Sequence, residues 1–242
     1  MLALLLALIG LPVGFALDAL VDRLAVPPDD DGPGGGDTAP SHAHTRSGIH
    51  SAEAGSLVLE DEGENVLLRR LVIVGATAGV FALAGLRYDE PAHLALVTAY
   101  LCVLIICAAT DFLTYRVPNV ITYPAIALAL FASAVMPDAD PRNALAGGGF
   151  AAFILIVPAL FSGGIGMGMG DVKLAVFAGL ALGFTFVLPA LLVMALSGGL
   201  VTVLLLVFRL RRWGEPIAYA PFISLGAMAV MLTYGTAFAK LY

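Results

Sequence analysis

Two aspartates could carry out chemistry in an otherwise strongly apolar chain. From Val66 onward, Asp111 and Asp171 are the carboxylates that adjoin long apolar segments, whereas the other acids there lie in short polar breaks. A carboxylate at the edge of hydrocarbon is energetically costly and usually has a function. Two neighbouring acids that share one proton can activate a water molecule against a peptide carbonyl.

Each aspartate lies in a distinctive local sequence. Residues 107–119 read CAATDFLTYRVPN, so an apolar helix ends near Asp111 and the next begins after Pro118. The fixed φ of proline disfavours helix at the preceding residue, which predicts a rigid turn. Residues 163–174 read GGIGMGMGDVKL, in which alternating glycines permit the close approach of another extended chain.

The two acids are expected to differ in electrostatic environment. Asp171 opens a predicted helix, where the helix dipole favours a carboxylate, and Lys173 adds a cation two residues later. Asp111 lies at the opposite end of a helix, where negative charge is disfavoured. Such a difference is typical of acid/base pairs. From the residues alone, two unrelated acids reaching water at a membrane interface remain an equal alternative.

Composition predicts an all-α, polytopic membrane protein. The 242 residues are 60% hydrophobic and 12% charged, with a mean hydropathy of +0.96. Apolar runs of about 17 residues or more recur, which is the length of a membrane-spanning helix. We expect about eight transmembrane helices, at 2–22, 67–86, 92–110, 119–136, 143–161, 171–186, 188–208 and 218–239.

The chain divides into three parts on the same grounds. Residues 1–25 hold the first transmembrane helix, 26–65 a flexible acidic cytoplasmic loop without cysteine, and 66–242 a multi-helix membrane core. The acidity of the loop argues against nucleic-acid binding. Its three histidines, at 42, 44 and 50, lack a further soft ligand and are read as ordinary polar residues rather than metal ligands.

The basic residues predict the orientation. With the N-terminus outside, nine of the twelve lysines and arginines fall in or beside cytoplasmic loops. This topology also places Asp111 and Asp171 on the cytoplasmic side. Arg209, Arg211 and Arg212 are read as topology anchors that contact anionic lipid.

Three further features have structural interpretations. Asp18, near the end of the first helix, is expected to reach water rather than to accept a hydrogen bond. Gly75 and Gly79 frame a small-residue face that predicts helix association. Cys102 and Cys107, five residues apart within one helix, are read as buried, inert thiols.

Four motifs together resemble the type IV prepilin peptidases, which are Gly-x-Gly-Asp aspartic proteases of bacterial membranes. The central two motifs are Asp111 followed by Val-Pro-Asn at 117–119, and GMGDVKL at 168–174. Near the ends, GLPVGFALD at 10–18 with Arg23 is similar to the family's N-terminal Gly-Ser-Phe-Leu-Asn…Arg stretch. The segment APFISLG at 220–226 is similar to its C-terminal Gly-Pro-Phe-Leu-x-Leu-Gly segment.

The resemblance implies a function and a set of site residues. The function is cleavage of short basic leader peptides, after a glycine, from prepilin or pseudopilin precursors in type IV pilus assembly and protein secretion. The catalytic pair would be Asp111 and Asp171. The residues that bind substrate or shape the site would be Gly168, Gly170, Lys173, Pro118 and Asn119.

The resemblance also bears on cofactors, partners and location. Proteolysis by this family needs no cofactor, and many members methylate the new N-terminus with S-adenosylmethionine. Asp18 replaces the family's usual asparagine, and the 26–65 loop lacks the Cys-x-x-Cys pairs that bind zinc in many members, so no zinc is expected and methylation is in doubt. The expected partners are precursor peptides and membrane lipids, in the bacterial inner membrane.

Two other kinds of function remain open from sequence. A proton-coupled membrane transporter would use the two acids as proton sites, but these should then line a passage near the midplane. A non-catalytic assembly partner with degenerate motifs is the other alternative, although its acids would not need to be intact.

Overall fold

The computed structural model describes residues 2–25, 51–136, 139–161, 168–209 and 217–241. In these ranges the chain forms seven α-helices and no strand. The helices are α1 (Leu2–Ala25), α2 (Ser51–Arg87), α3 (Pro91–Thr114), α4 (Asn119–Val135), α5 (Pro141–Phe161), α6 (Met169–Val207) and α7 (Ala220–Leu241).

The helices have the length and composition of membrane spans, which confirms the predicted all-α polytopic class. Five segments are long and apolar enough to cross a membrane, namely Leu2–Leu24, Val66–Arg87, Pro91–Thr114, Pro141–Leu160 and Met169–Val207. Helix α4 and the Ala220–Tyr234 part of α7 are apolar but shorter.

The structure has seven helices where eight were predicted, because the two helices predicted at 171–186 and 188–208 form one helix, α6, with a break inside it. Gly183 has φ 70° and ψ 170°, a backbone conformation that residues with a side chain rarely adopt. The Oδ1 atom of Asn143 in α5 accepts the N–H of Phe184 at 3.1 Å, so a backbone donor freed by the break is satisfied. The sequence prediction placed this break at residue 187, four residues too late.

Helix α2 begins earlier than expected. Residues 51–65, predicted to be loop, are helical, whereas 26–50, with the three loop histidines, lie outside the described residues. The sequence of 51–65 contains four glutamates, which favour helix, and no proline.

The predicted small-residue face at 75–79 does pack on α1, through Thr77 and Ala78, but its two glycines take no part in the contact. A Cβ added at either of those glycines would meet no atom within 4 Å. A Cβ at Gly10 would instead lie 2.7 Å from the Cα of Ala78, and one at Gly14 would lie 2.7 Å from the Cα of Val74. Gly85 of α2 acts in the same way, since a Cβ there would lie 3.1 Å from the Cα of Ala3, so small residues of both helices allow the two backbones to approach.

Ion pairs also join α1 to α2, and the expectation that Asp18 reaches water is wrong. The Asp18 side chain is 1% exposed, and its two oxygens accept hydrogen bonds from Arg69 Nε at 3.2 Å and Arg70 Nε at 2.8 Å. Arg69 also binds the more exposed Asp22, and the Arg70 guanidinium lies 4.9 Å from the centre of the Phe15 ring. A buried carboxylate is tolerated here because two guanidinium groups share it.

Replacing Asp18 with asparagine should destabilise the protein far more than the same change at Asp22. Asp18→Asn leaves the arginine pair without its buried counter-charge, at a cost of about 3 kcal/mol. Asp22 has a side chain that is 45% exposed, so its ion pair contributes about 1 kcal/mol or less. Thermal unfolding in detergent should show Tm falling by roughly 6–12 °C for Asp18→Asn. Equal shifts for the two variants would contradict this account.

Candidate active site

Asp111 lies in the last turn of α3 and is bound by the start of another helix. Its side chain is buried, and Oδ2 accepts the backbone N–H of Ala220, the first residue of α7, at 3.1 Å. The first N–H groups of a helix have no partner within the helix and carry the positive end of its dipole. The expectation that Asp111 lies where negative charge is disfavoured is therefore incomplete, because α7 supplies a compensating N-terminus.

The chain after Asp111 forms a tight connection to α4. Tyr115 ends α3 in the left-handed region at φ 53°, and its N–H donates to the Asp111 carbonyl at 2.8 Å. Pro118 is the N-cap of α4 in an extended conformation, and its carbonyl accepts the Thr122 hydroxyl at 3.0 Å. The proline turn and the helix cap together hold the end of α3 in place.

Asp171 lies in the first turn of α6 and closes a turn with Gly168. Its Oδ2 accepts the Gly168 N–H at 3.2 Å, and its own N–H donates to the Gly168 carbonyl at 3.1 Å. Its other oxygen, Oδ1, is buried and has no hydrogen-bond partner among the described residues. An unpaired buried acceptor is costly, so this oxygen is an attractive position for a proton or a water molecule.

The fold brings the two acids together although they are far apart in sequence. Asp111 and Asp171 are 4% and 6% exposed, and the negative charge of Asp111 acts on the Asp171 carboxyl. The two side chains come from the C-terminal end of α3 and the N-terminal end of α6. The C-terminal end of α3 also meets the N-terminus of α7, where the Ala220 N–H donates to Asp111.

Gly170 brings the two sequence motifs into direct contact. A Cβ at Gly170 would lie 3.0 Å from the Cβ of Val117 and 3.5 Å from its backbone nitrogen. Any larger side chain would push the turn before Pro118 away from α6. The glycine predicted to allow close approach therefore packs against the other predicted motif. Residues 162–167, the first part of the glycine-rich segment, lie outside the described residues.

The amine of Lys173 does not pair with the Asp171 carboxyl, although the spacing of two residues predicted a cation beside that acid. Its Nζ donates to the Asn119 side chain at 2.9 Å and lies 4.8 Å from the centre of the Tyr123 ring. Among the described residues it forms no ion pair with either aspartate. The predicted site residues Lys173 and Asn119 thus bind each other and tie the start of α4 to α6.

Three residues of α7 support the site, and reasoning from residue chemistry did not assign them a role. Ala220 donates to Asp111, the Ser224 hydroxyl donates to the Leu104 carbonyl at 3.0 Å, and a Cβ at Gly226 would lie 2.3 Å from the Ala190 carbonyl oxygen. The first two fix α7 on α3, and the third lets it approach α6. Only the resemblance of 220–226 to a family motif pointed to these residues. Ala220 acts through its backbone N–H, which every residue except proline has, so its side chain gives no indication of the role.

The arrangement of the two aspartates supports acid–base chemistry. Within the described residues, no three histidine, cysteine or acidic side chains are placed to hold a metal ion. Each aspartate accepts one backbone N–H, and Asp171 keeps one oxygen available. Such a pair can take a proton from a water molecule and give a proton to a carbonyl oxygen.

Comparison with known proteins identifies one family. A sequence model described as the type IV leader peptidase family matches residues 98–204, which include both aspartates. A protein of Bacillus subtilis (strain 168) named prepilin leader peptidase/N-methyltransferase is 29% identical over 168 residues, covering 69% of this chain and 66% of that protein. A protein of the same name from Burkholderia pseudomallei (strain 1026b) is 30% identical over 175 residues, covering 70% of this chain and 56% of that protein.

The chain thus spans between about half and two thirds of the length of these curated relatives. No solved structure matches it. The family match covers the segment in which α3, α4 and α6 meet around the two acids. Residues 98–204 of the chain thus match the type IV leader peptidase family, and the chain is similar over about 70% of its length to proteins named prepilin leader peptidase/N-methyltransferase.

Proposed function

We propose that this protein is a membrane aspartic endopeptidase that cleaves leader peptides from type IV prepilin or pseudopilin precursors at the cytoplasmic face. The observation that carries the proposal is the buried pair of Asp111 and Asp171, with Oδ1 of Asp171 unpartnered among the described residues. The names of the two relatives supply the substrate class.

The chemistry follows from a pair of carboxyls that holds one proton. The ionised carboxyl removes a proton from a bound water molecule, and the water oxygen attacks the scissile carbonyl carbon. The protonated carboxyl donates its proton to the carbonyl oxygen, which gives a neutral tetrahedral intermediate. The C–N bond then breaks as the intermediate returns a hydroxyl proton to one aspartate and the leaving nitrogen takes a proton from the other.

The basic residues support cleavage at the cytoplasmic face. Arg69 and Arg70 lie near the start of the membrane span of α2, and Arg116 follows Asp111 in the connection to α4. Arginine is enriched in cytoplasmic loops and near the cytoplasmic ends of spans. The acid pair would then meet a basic leader that has not crossed the membrane.

Methyl transfer is a second reaction to test in the same assay. Both relatives carry N-methyltransferase in their names, but this chain spans only part of their length. The mass of the cleaved product reports removal of the leader and any added methyl group separately. A transporter is not favoured, because the acids lie at helix termini and the matches are to peptidases.

Neutralising either aspartate should abolish cleavage without unfolding the protein. Asp111→Asn and Asp171→Asn each remove one acid–base group, so the cleavage rate should fall by about 10³-fold or more. The measurement is mass spectrometry of a precursor peptide incubated with purified protein. Asp89→Asn, at an exposed aspartate outside the helices, is the control and should cleave at the normal rate. Normal cleavage by either Asp111→Asn or Asp171→Asn would reject the proposal.

Enlarging Gly170 should slow cleavage by moving one motif away from the other. Gly170→Val would force its side chain into Val117 and displace the turn that follows Asp111, lowering kcat by about tenfold or more. Gly149→Val is the matched control, since a Cβ at Gly149 meets nothing within 4 Å. Adding Val117→Ala to Gly170→Val removes two methyl groups from the clash and should recover part of the rate. Independent, additive effects of the two changes would contradict the contact.

A further inference from the structure

The Thr122 hydroxyl lies at the junction of α3 and α4, and the acid–base chemistry makes no use of it. Thr122 is 1% exposed and lies near the start of α4. Its Oγ1 donates to the Pro118 carbonyl at 3.0 Å, and the Cys107 thiol of α3 forms a hydrogen bond with the same side chain. A hydroxyl has one proton to donate, so the thiol is the donor to Oγ1.

Cys107 lies one helical turn before the first of the two acids. It precedes Asp111 by four residues, and side chains at that spacing share a face of a helix, with Cβ atoms about 5–6 Å apart. The thiol is fully buried, and the charge of Asp111 acts on it. The hydrogen bond from Cys107 to Thr122 therefore holds the turn from which the Asp111 carboxyl projects.

The end of α3 needs support because it is a helix terminus. The last carbonyls of a helix have few partners within it, and here the Asp111 carbonyl accepts the N–H of Tyr115, the residue that ends α3. On one side, the Ala220 N–H binds the Asp111 carboxyl. On the other side, the Thr122 hydroxyl joins α3 to Pro118, at the start of α4. One hydroxyl thus holds the chain both before and after the connection that follows the acid.

We infer that Thr122 is a positioning residue, which orients the Asp111 carboxyl through the Cys107 thiol without touching the substrate. The inference rests on the proposed function and adds to it a residue outside the acid pair. Misplacing a catalytic group by about 1 Å can slow a reaction by about 10²-fold. Loss of one neutral hydrogen bond corresponds to a smaller change, of about three- to tenfold.

Removing the hydroxyl while keeping the shape of the side chain tests this role. Thr122→Val should lower kcat for cleavage of a precursor peptide about three- to tenfold and leave KM within about twofold, because only a reacting group is displaced. Thr122→Ser restores the hydroxyl and should return kcat to within about twofold of the unaltered protein.

Ser133→Ala is the matched control for this change. It removes another buried hydroxyl of α4, whose partner is the Leu130 carbonyl of the same helix, and it should leave kcat within about twofold. Equal kcat values for Thr122→Val and Ser133→Ala would overturn the inference.

A double-mutant cycle shows whether Thr122 acts through Cys107. Cys107→Ser keeps a donor for the threonine oxygen, whereas Cys107→Ala removes it and should lower kcat about as much as Thr122→Val does. If both changes break the same hydrogen bond, the double variant should be little slower than either single one. Effects that multiply would overturn the inference.

The thiol also provides a readout that does not need activity. The chain has two cysteines, so Cys102→Ala leaves one thiol, whose S–H stretch is observable by infrared spectroscopy. A hydrogen bond weakens the S–H bond, so the band should move to higher wavenumber in Thr122→Val and stay in place in Ser133→Ala. An unchanged band in Thr122→Val would overturn the inference while cleavage itself continued. If the unaltered protein cleaves no precursor, the proposed function fails, and the band still decides whether Thr122 holds Cys107.

Discussion

The burial of two carboxyl groups beside each other is the constraint on which the rest of this structure depends. Each group loses hydration, and the two negative charges repel. The fold offsets this cost with backbone N–H groups at helix starts. The N–H of Gly168, at the start of α6, donates a hydrogen bond to Asp171. The N–H of Ala220, at the start of α7, donates one to Asp111. The acid pair is therefore stable only while α3, α6 and α7 keep their relative positions.

That requirement explains why the sequence motifs are spread over the chain. Gly170 against Val117 fixes α6 on the turn after α3, and Gly226 against Ala190 fixes α7 on α6. The Ser224 hydroxyl adds a hydrogen bond from α7 to α3. Each contact lets two backbones approach or satisfies a polar atom within an apolar layer. The motif at 220–226 thus acts on the central acids through helix packing.

The helices could be predicted from sequence because the length of an apolar run is a local property. Side-chain interactions were predicted wrongly where the two partners lie far apart in the chain. Asp18 was expected to reach water because its arginine partners lie 51 and 52 residues away. Lys173 was assigned to Asp171 from a spacing of two, yet its amine binds Asn119. The break at Gly183 was misplaced because its stabilising partner, Asn143, lies on another helix. Charge and spacing identify candidates, but packing decides which of them meet.

The position of Lys173 has a consequence for the chemistry of the pair. With its amine held by Asn119 and the Tyr123 ring, no lysine or arginine of the described residues forms an ion pair with Asp111 or Asp171. One backbone N–H for each carboxyl does not neutralise two charges in an apolar setting. A proton on one carboxyl would remove one of those charges, and the unpartnered Oδ1 of Asp171 offers it a place. The absence of a fixed cation at the pair is therefore compatible with the proposed chemistry, in which one carboxyl acts as an acid and the other as a base.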